Sequence, residues 1–504
     1  MARKFLNINK VIPTLIFSSM LMAFLPLILF GVPGFYGDDF NMLGSLEIGN
    51  GIIGSVQIWI SEYGLVYRPV GIFFLNSVYA FFGHSENLIY GISLLIYSLF
   101  ILIVFKSAKI FTNENSLALF VTLFFSSFPF NATAFLQISS LYMMFTGLSC
   151  LLLMILIHLK YRKFRLKGLT LIALIWAMLL LSYEQITGLV AVIFYLTFIE
   201  NKSKGTFQSF KTSVLSNSLI IIFTFCFMLF FFLSSSNPKV KTVKDLNQIT
   251  QEKILNEETI SKEFNIDQAR TNTFSESRLD ALISKFERSF SFLYDNFSYS
   301  LENLVKNEIT GSILLFFLFM HTFLILLCPI RGPSREFAAK QLIFGFIWVA
   351  STLLPFFLYK SVHIPPYVLL IPSIGLAYFI YGMFWLLPFP RQGNISKYLF
   401  KAFLALLVMN FQIQQYGYYF GLKEELSFWG DVAGQYSELE KLNEHSSSLR
   451  ISLDKKNNQH IFWIEKLVGL RFFYDSINSN NNEVAVVFDK ESDGIILRKM
   501  NDKK

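Results

Sequence analysis

Runs of about twenty apolar residues recur along most of this 504-residue chain, and each is long enough to cross the hydrocarbon core of a bilayer as a helix. Inside lipid a segment must satisfy its own backbone hydrogen bonds, so such runs commit the chain to helical spans. The composition agrees: 53% of residues are hydrophobic, 15% are charged, and the 58 phenylalanines exceed what one soluble core can hide. A polytopic α-helical membrane protein is expected.

Eleven spans are predicted, at about 11–33, 87–110, 114–131, 138–159, 168–183, 185–200, 213–235, 311–330, 341–359, 366–388 and 398–418. The apolar segment 69–83 is short for a span and reads as an interfacial or re-entrant helix. With the N-terminus inside, the inner segments carry nineteen Lys and Arg residues, against Arg68 and Lys360 alone in the short outer loops. Because positive charge stays on the cytoplasmic side, a multi-pass protein of the cell membrane is expected, N-terminus inside and C-terminus outside.

These anchors account for most of the net charge of +8, so no nucleic-acid partner is implied. Cys150, Cys226 and Cys328 fall within predicted spans and read as small hydrophobes rather than disulfide partners or metal ligands. No small-residue cleavage site follows the first apolar run, which reads as a retained span.

Two domains are expected: a transmembrane domain over 1–418 and a small extracytoplasmic α/β domain over 419–504. The first outer loop, 34–86, carries the interfacial helices, and a large polar outer loop covers 236–310. In that loop Leu279, Leu282, Ile283, Phe286 and Phe290 share one helical face. The tail opens with a helical pattern, "LSFWGDVAGQYSELEKLNEH", followed by strand candidates "RISLD", "EVAVVFD" and "GIILRKM". It shows no repeat of 20 to 50 residues.

The candidate functional residues collect in the outer segments. Asp38 and Asp39, in "GDDF", suit either a helix cap for "DFNMLGSLEIG" or a carboxylate that takes a proton from an acceptor hydroxyl. In "YRPV", Tyr67 and Arg68 precede Pro69, and the guanidinium reads either as a headgroup contact or as a fork aimed at a phosphate. Glu184, in "LLLSYEQITG", sits between two spans with almost no loop, where an acid is partly desolvated. In "LYKSVHIPPYVLLIPSIG", Lys360, His363 and Tyr367 flank a rigid paired-proline turn and suit either phosphate contact or an interfacial belt. No metal-ligand spacing and no phosphate-cradling glycine loop is present.

In order, "GDDF", "YRPV", "FFGHSEN", "LFFSSFPFNATAFLQISS", "LLLSYEQITG" and "YVLLIPSIG" resemble the motifs of GT-C superfamily membrane glycosyltransferases, in the protein O-mannosyltransferase-like branch. The resemblance covers about residues 11–418 and stops before the tail, which lacks the tetratricopeptide repeats of some relatives. Four positions depart from the family pattern: Tyr90 for a histidine, Thr133 for an acid, Gln137 for a tryptophan and Tyr367 for an arginine.

The resemblance implies transfer of a sugar from a polyprenyl-phosphate donor to an extracytoplasmic glycan, lipid or protein acceptor, with membrane lipids as surroundings. Asp38 or Asp39 would be the catalytic base, with a divalent cation as one option at the acidic pair and no other cofactor implied. Tyr67, Arg68, Glu184, Lys360, His363 and Tyr367 would bind substrate. Two other readings stay open. A polysaccharide polymerase or ligase would use Arg270, Arg278 and Arg288 of the large loop, although twelve acids against ten cations there suit a pyrophosphate poorly. A transporter or flippase would place ionisable groups or broken helices at mid-depth.

Overall fold

The computed structural model describes residues 8–32, 46, 50–63, 68–82, 85–160, 166–201, 205–235, 308–328, 330, 332–358, 366–388, 395–441, 448–452, 484–489 and 494–499. The protein is a predominantly helical membrane protein. Its helices are α1 (Ile8–Phe30), α2 (Ile52–Tyr63), α3 (Pro69–Phe82), α4 (Glu86–Thr112), α5 (Asn115–Ser127), α6 (Pro129–Leu136), α7 (Leu141–Lys160) and α8 (Leu166–Leu180). There follow α9 (Leu189–Asn201), α10 (Thr206–Ser216), α11 (Ser218–Ser235), α12 (Glu308–Leu327), α13 (Arg335–Leu358), α14 (Leu370–Leu386) and α15 (Ile395–Lys441). Short 3₁₀ turns stand at Ile138–Ser140, Glu184–Gly188 and Pro366–Leu369.

Among the described residues, four helices are long and apolar enough to cross a membrane: Val11–Leu29, Asn87–Thr112, Ile138–Leu159 and Arg335–Pro355. Counting the bent pairs α5–α6 (61°) and α10–α11 (64°) as one span each raises the number to six. The sequence predicts eleven. Much of the difference lies in shorter apolar helices, Thr170–Leu180, Gly311–Leu327 and Leu370–Leu386, of which the first and last end against 3₁₀ turns.

The chain divides into two compact units, the first containing the described residues of Met1–Val32, Asn87–Phe230 and Leu282–Gly421. Its hydrogen bonds sort the helix ends into two sets. At one end the Tyr419 hydroxyl donates to Gly31 O (2.7 Å), Gln137 Nε2 to the Tyr418 hydroxyl (2.9 Å), and the Tyr90 hydroxyl to Leu136 O (2.8 Å). At the other, Lys401 Nζ donates to Leu326 O (3.0 Å), and His158 Nδ1 pairs with Glu200 Oε1 at 2.8 Å. The helices therefore run up and down, and the chain leaves α1 and enters α4 at the same end.

The centre of this unit is the pair α5–α6. Every residue of α6, and every residue of α5 after Asn115, is buried. Phe120 packs against Tyr381 and Phe400, and Phe124 and Phe128 both meet Phe411 edge-on. The break between the two helices has a local cause. Pro129 has no N–H to donate and forces the preceding residue out of the helical region, and Phe128 is accordingly extended (φ −60°, ψ 121°).

A helix broken inside lipid needs substitutes for its lost backbone partners. Phe124 O still accepts from Phe128 N (2.9 Å), while Phe125 O accepts from Asn131 Nδ2 (2.7 Å). Ser126 O accepts from Gln415 Nε2 (3.0 Å) and from the Tyr97 hydroxyl (3.3 Å). Phe128 O accepts from Asn131 N (2.9 Å) and Gln415 Nε2 (3.1 Å). At the far end of α6, Ser93 Oγ donates to Phe135 O (3.0 Å) beside the Tyr90 bond to Leu136 O.

Helices α13 and α14 lie against each other through glycine: a Cβ on Gly345 would stand 2.3 Å from Phe379 N. Small residues permit this approach of two backbones. Helix α15 has 47 residues and is continuous, so the last expected span and the first expected tail helix form one element. Of the three cysteines, Cys150 and Cys328 are buried and Cys226 is exposed on the chain surface.

The second unit holds the described residues of Pro33–Glu86, Phe231–Ala281 and Leu422–Lys504. In it α2 and α3 are joined by a hydrogen bond from Asn76 Nδ2 to Ser55 Oγ (2.8 Å). Three tail strands, β1 (Ser448–Ser452), β2 (Val484–Asp489) and β3 (Gly494–Lys499), form an antiparallel sheet in the order β1-β3-β2. They coincide within two residues with the segments expected to be strands. The expected amphipathic helix around Leu279–Phe290 lies outside the described residues.

Candidate functional site

Glu184 opens the 3₁₀ turn that replaces a loop between α8 and α9, and its side chain is buried. The turn is held on two sides. Gln185 Nε2 donates to Val368 O (2.8 Å), which fixes it to the Pro366–Leu369 turn, and a Cβ on Gly188 would stand only 2.0 Å from Ser351 O of α13. Within the turn, Thr187 Oγ1 donates to Glu184 O (2.8 Å). The neighbouring Tyr183 ring meets Tyr142 edge-on at 6.2 Å.

Beside it lies the broken span. Asn131 Nδ2 bonds Ser373 Oγ (3.1 Å) as well as Phe125 O, and Ser373 Oγ in turn donates to Leu370 O (2.7 Å). One set of polar contacts therefore runs from Gln415 through the Phe125–Asn131 backbone to Ser373, and a second joins Gln185, the neighbour of Glu184, to Val368. Three interrupted pieces of backbone, at Phe128, Glu184–Gly188 and Pro366–Leu369, meet in one region of the first unit. Non-helical backbone is tolerated at membrane depth only where protein or a water-filled cavity surrounds it.

Of the residues singled out in the sequence, Glu184 and the backbone of Tyr367 are brought to this region, through the Gln185–Val368 bond. Asp38, Asp39, Tyr67, Lys360 and His363, and the side chain of Tyr367, lie outside the described residues. Arg68 belongs to the second unit, where it is half-buried and has φ +53°. A positive φ is unusual for arginine: the other described non-glycine residues that share it, Asn50 and Asn113, are of the type that tolerates it. Pro69 opens α3 directly after it, and Ile72 N donates to Arg68 O (2.9 Å).

Three of the four positions that depart from the motifs the sequence resembles, Tyr90, Thr133 and Gln137, each make a local hydrogen bond. Tyr90 uses its hydroxyl to cap α6, Thr133 Oγ1 donates back to Phe130 O (2.6 Å), and Gln137 reaches Tyr418. Sequence reasoning missed Asn131, Gln185 and Gln415. Their signal was a set of carboxamides within apolar runs, "FNATAF", "SYEQITG" and "NFQIQQYG", which a search for charges passes over. Among the described residues no three His, Cys, Asp or Glu side chains gather as a metal site. No protein-family model matches the chain, and no curated protein matches it.

Proposed function

We propose that the protein is an integral-membrane glycosyltransferase that moves a sugar from a polyprenyl-phosphate donor to an extracytoplasmic acceptor. One observation carries the reading: a buried acid, Glu184, stands where three interrupted backbone segments meet inside a helical membrane protein. An ionisable residue retained in that setting is functional by default. The ordered motifs around it supply the reaction class by resemblance.

In this reading the end of the first unit that gathers Gly31, Tyr90, Gln137, Glu184 and Tyr419 faces the extracytoplasmic side, because the Lys and Arg residues of short loops mark the opposite end as cytoplasmic. Asp38 or Asp39 takes the proton of the acceptor hydroxyl as its oxygen attacks the anomeric carbon. The anomeric C–O bond breaks with its electrons passing to the polyprenyl phosphate, whose charge Arg68 and Lys360 offset. The acceptor is a cell-envelope glycan, a lipid or a protein.

The test is sugar transfer by the full chain in liposomes carrying a polyprenyl-phosphate sugar. Asp38→Asn, Asp39→Asn, Arg68→Ala and Glu184→Gln are compared with the wild type, and loss of at least about 100-fold in kcat is expected for the true base. Full activity in both aspartate variants would refute the first-loop mechanism. The span broken at Pro129 favours a second reading, a transporter or flippase, since discontinuous helices line midplane sites in such proteins. Movement of a labelled lipid across the bilayer without any transfer would select it.

A further inference from the structure

Helix α10 is polar on its inward side and apolar on its outward side. Ser209 and Ser213, one turn apart, are fully buried, whereas Phe207 is 80% exposed, Phe210 52% and Leu215 65%. The serine side is fastened to the end of α9 that also carries the His158–Glu200 pair: Ser209 Oγ donates to Asn201 O (2.5 Å). Asn217, buried at the junction with α11, donates from Nδ2 to Thr197 Oγ1 (3.2 Å) and to Ser213 O (3.0 Å). These bonds fix a 64° bend that has neither proline nor glycine to cause it.

A helix facing water buries its apolar stripe and shows its polar one, so this polarity is reversed for water and correct for lipid. The neighbouring α11 agrees: it follows after one residue and also turns apolar side chains outward, with Ile222, Phe225 and Leu229 exposed. Lys211 sets the depth. It is exposed on the outward arc between Phe207 and Leu215, at the spacing i, i+4, i+8. An ammonium there is costly in the hydrocarbon core, but at the boundary its methylene stem carries it to the headgroups. Residues 202–218 include three lysines and no acid, and the nearest acid, Glu200, is held by His158. We propose that α10 is an interfacial helix that docks on anionic lipid, with Phe207, Phe210 and Leu215 in the acyl boundary and Lys211 at the headgroups. The assignment stands apart from sugar transfer and does not depend on it.

The experiment uses the full chain with Phe207→Cys and Cys226→Ser, in which the two remaining native cysteines, Cys150 and Cys328, are buried. A fluorophore on position 207 is read in bilayers of phosphatidylcholine and phosphatidylglycerol, with one lipid or the other brominated as a quencher, and with iodide as the quencher in water. Brominated lipid should quench more than iodide, and brominated phosphatidylglycerol about threefold more than brominated phosphatidylcholine at equal fraction. Lys211→Glu should cut that preference by about half or more while quenching by phosphatidylcholine remains. Quenching by iodide alone would place the face in water, and quenching by no agent would place a protein surface over it, a second copy or another chain. Either result overturns the proposal. Equal quenching by the two lipids before Lys211 is changed, or a preference that survives Lys211→Glu, overturns the docking on anionic lipid.

Discussion

Gln415 on α15 donates through one nitrogen to two carbonyls of the broken span, Ser126 O at 3.0 Å and Phe128 O at 3.1 Å. The bond spans 289 residues of sequence and does locally what the next turn of helix would have done had Pro129 not ended α5. It joins the last long helix to the buried centre of the first unit at the break between α5 and α6.

Gln415→Leu should therefore destabilise the protein, but moderately. Ser126 O keeps the Tyr97 hydroxyl and Phe128 O keeps the amide of Asn131, so neither carbonyl is stripped. The expected loss is about 1–2 kcal/mol, close to that of one intramembrane side-chain hydrogen bond. Denaturant-induced unfolding in mixed micelles measures it, and a loss above about 4 kcal/mol would mean that the break depends on Gln415 alone.

Gly188 and Gly91 should respond to alanine with opposite signs. A Cβ on Gly188 meets the Ser351 carbonyl at 2.0 Å, and backbone cannot yield, so Gly188→Ala should cost about 3 kcal/mol or more and displace the Glu184 turn. A Cβ on Gly91, inside α4, meets nothing within 4 Å, so Gly91→Ala should be neutral or stabilising by up to about 1 kcal/mol. Thermal midpoints of the two purified variants against the wild type decide it, and equal shifts would contradict the packing.

His321 of α12 is buried against α1, with Ser18 Oγ 2.7 Å from Nδ1 and Ser19 Oγ 3.4 Å from Nε2. Both ring nitrogens thus have a serine, one close and one at the limit of a hydrogen bond. Ser18→Ala should cost about 1 kcal/mol and Ser19→Ala less than half of that. Equal costs in the same unfolding assay would place the stronger bond on neither serine.

The helical fold and part of the site were legible in the sequence for different reasons. Apolar runs announced most helices, and "SYEQITG" announced Glu184 because an acid with no loop around it has nowhere to go but inward. The short apolar runs of "EVAVVFD" and "GIILRKM" on either side of polar stretches located β2 and β3, although not their pairing, which sets Val487 against Ile496. The carboxamides stayed hidden because Asn and Gln are uncharged and their value lies in carbonyls distant in sequence, as Gln185 finds Val368 and Asn131 finds Ser373. The length of α15 stayed hidden too. Gly417 and Gly421 suggest an end, yet the Tyr419–Gly31 and Tyr418–Gln137 bonds hold that stretch as helix.

Arg68 offers a way to separate backbone strain from side-chain chemistry. Its φ of +53° costs arginine or alanine about 1–2 kcal/mol and costs glycine nothing. Arg68→Gly and Arg68→Ala both remove the guanidinium, but only the first also removes the strain. The glycine variant should thus be more stable than the alanine variant by about 1 kcal/mol, and under the proposed glycosyltransferase function both should lose transfer to the same extent, because neither keeps the guanidinium. An alanine variant as stable as the glycine variant would remove the strain argument, and full transfer activity in either would remove Arg68 from the site.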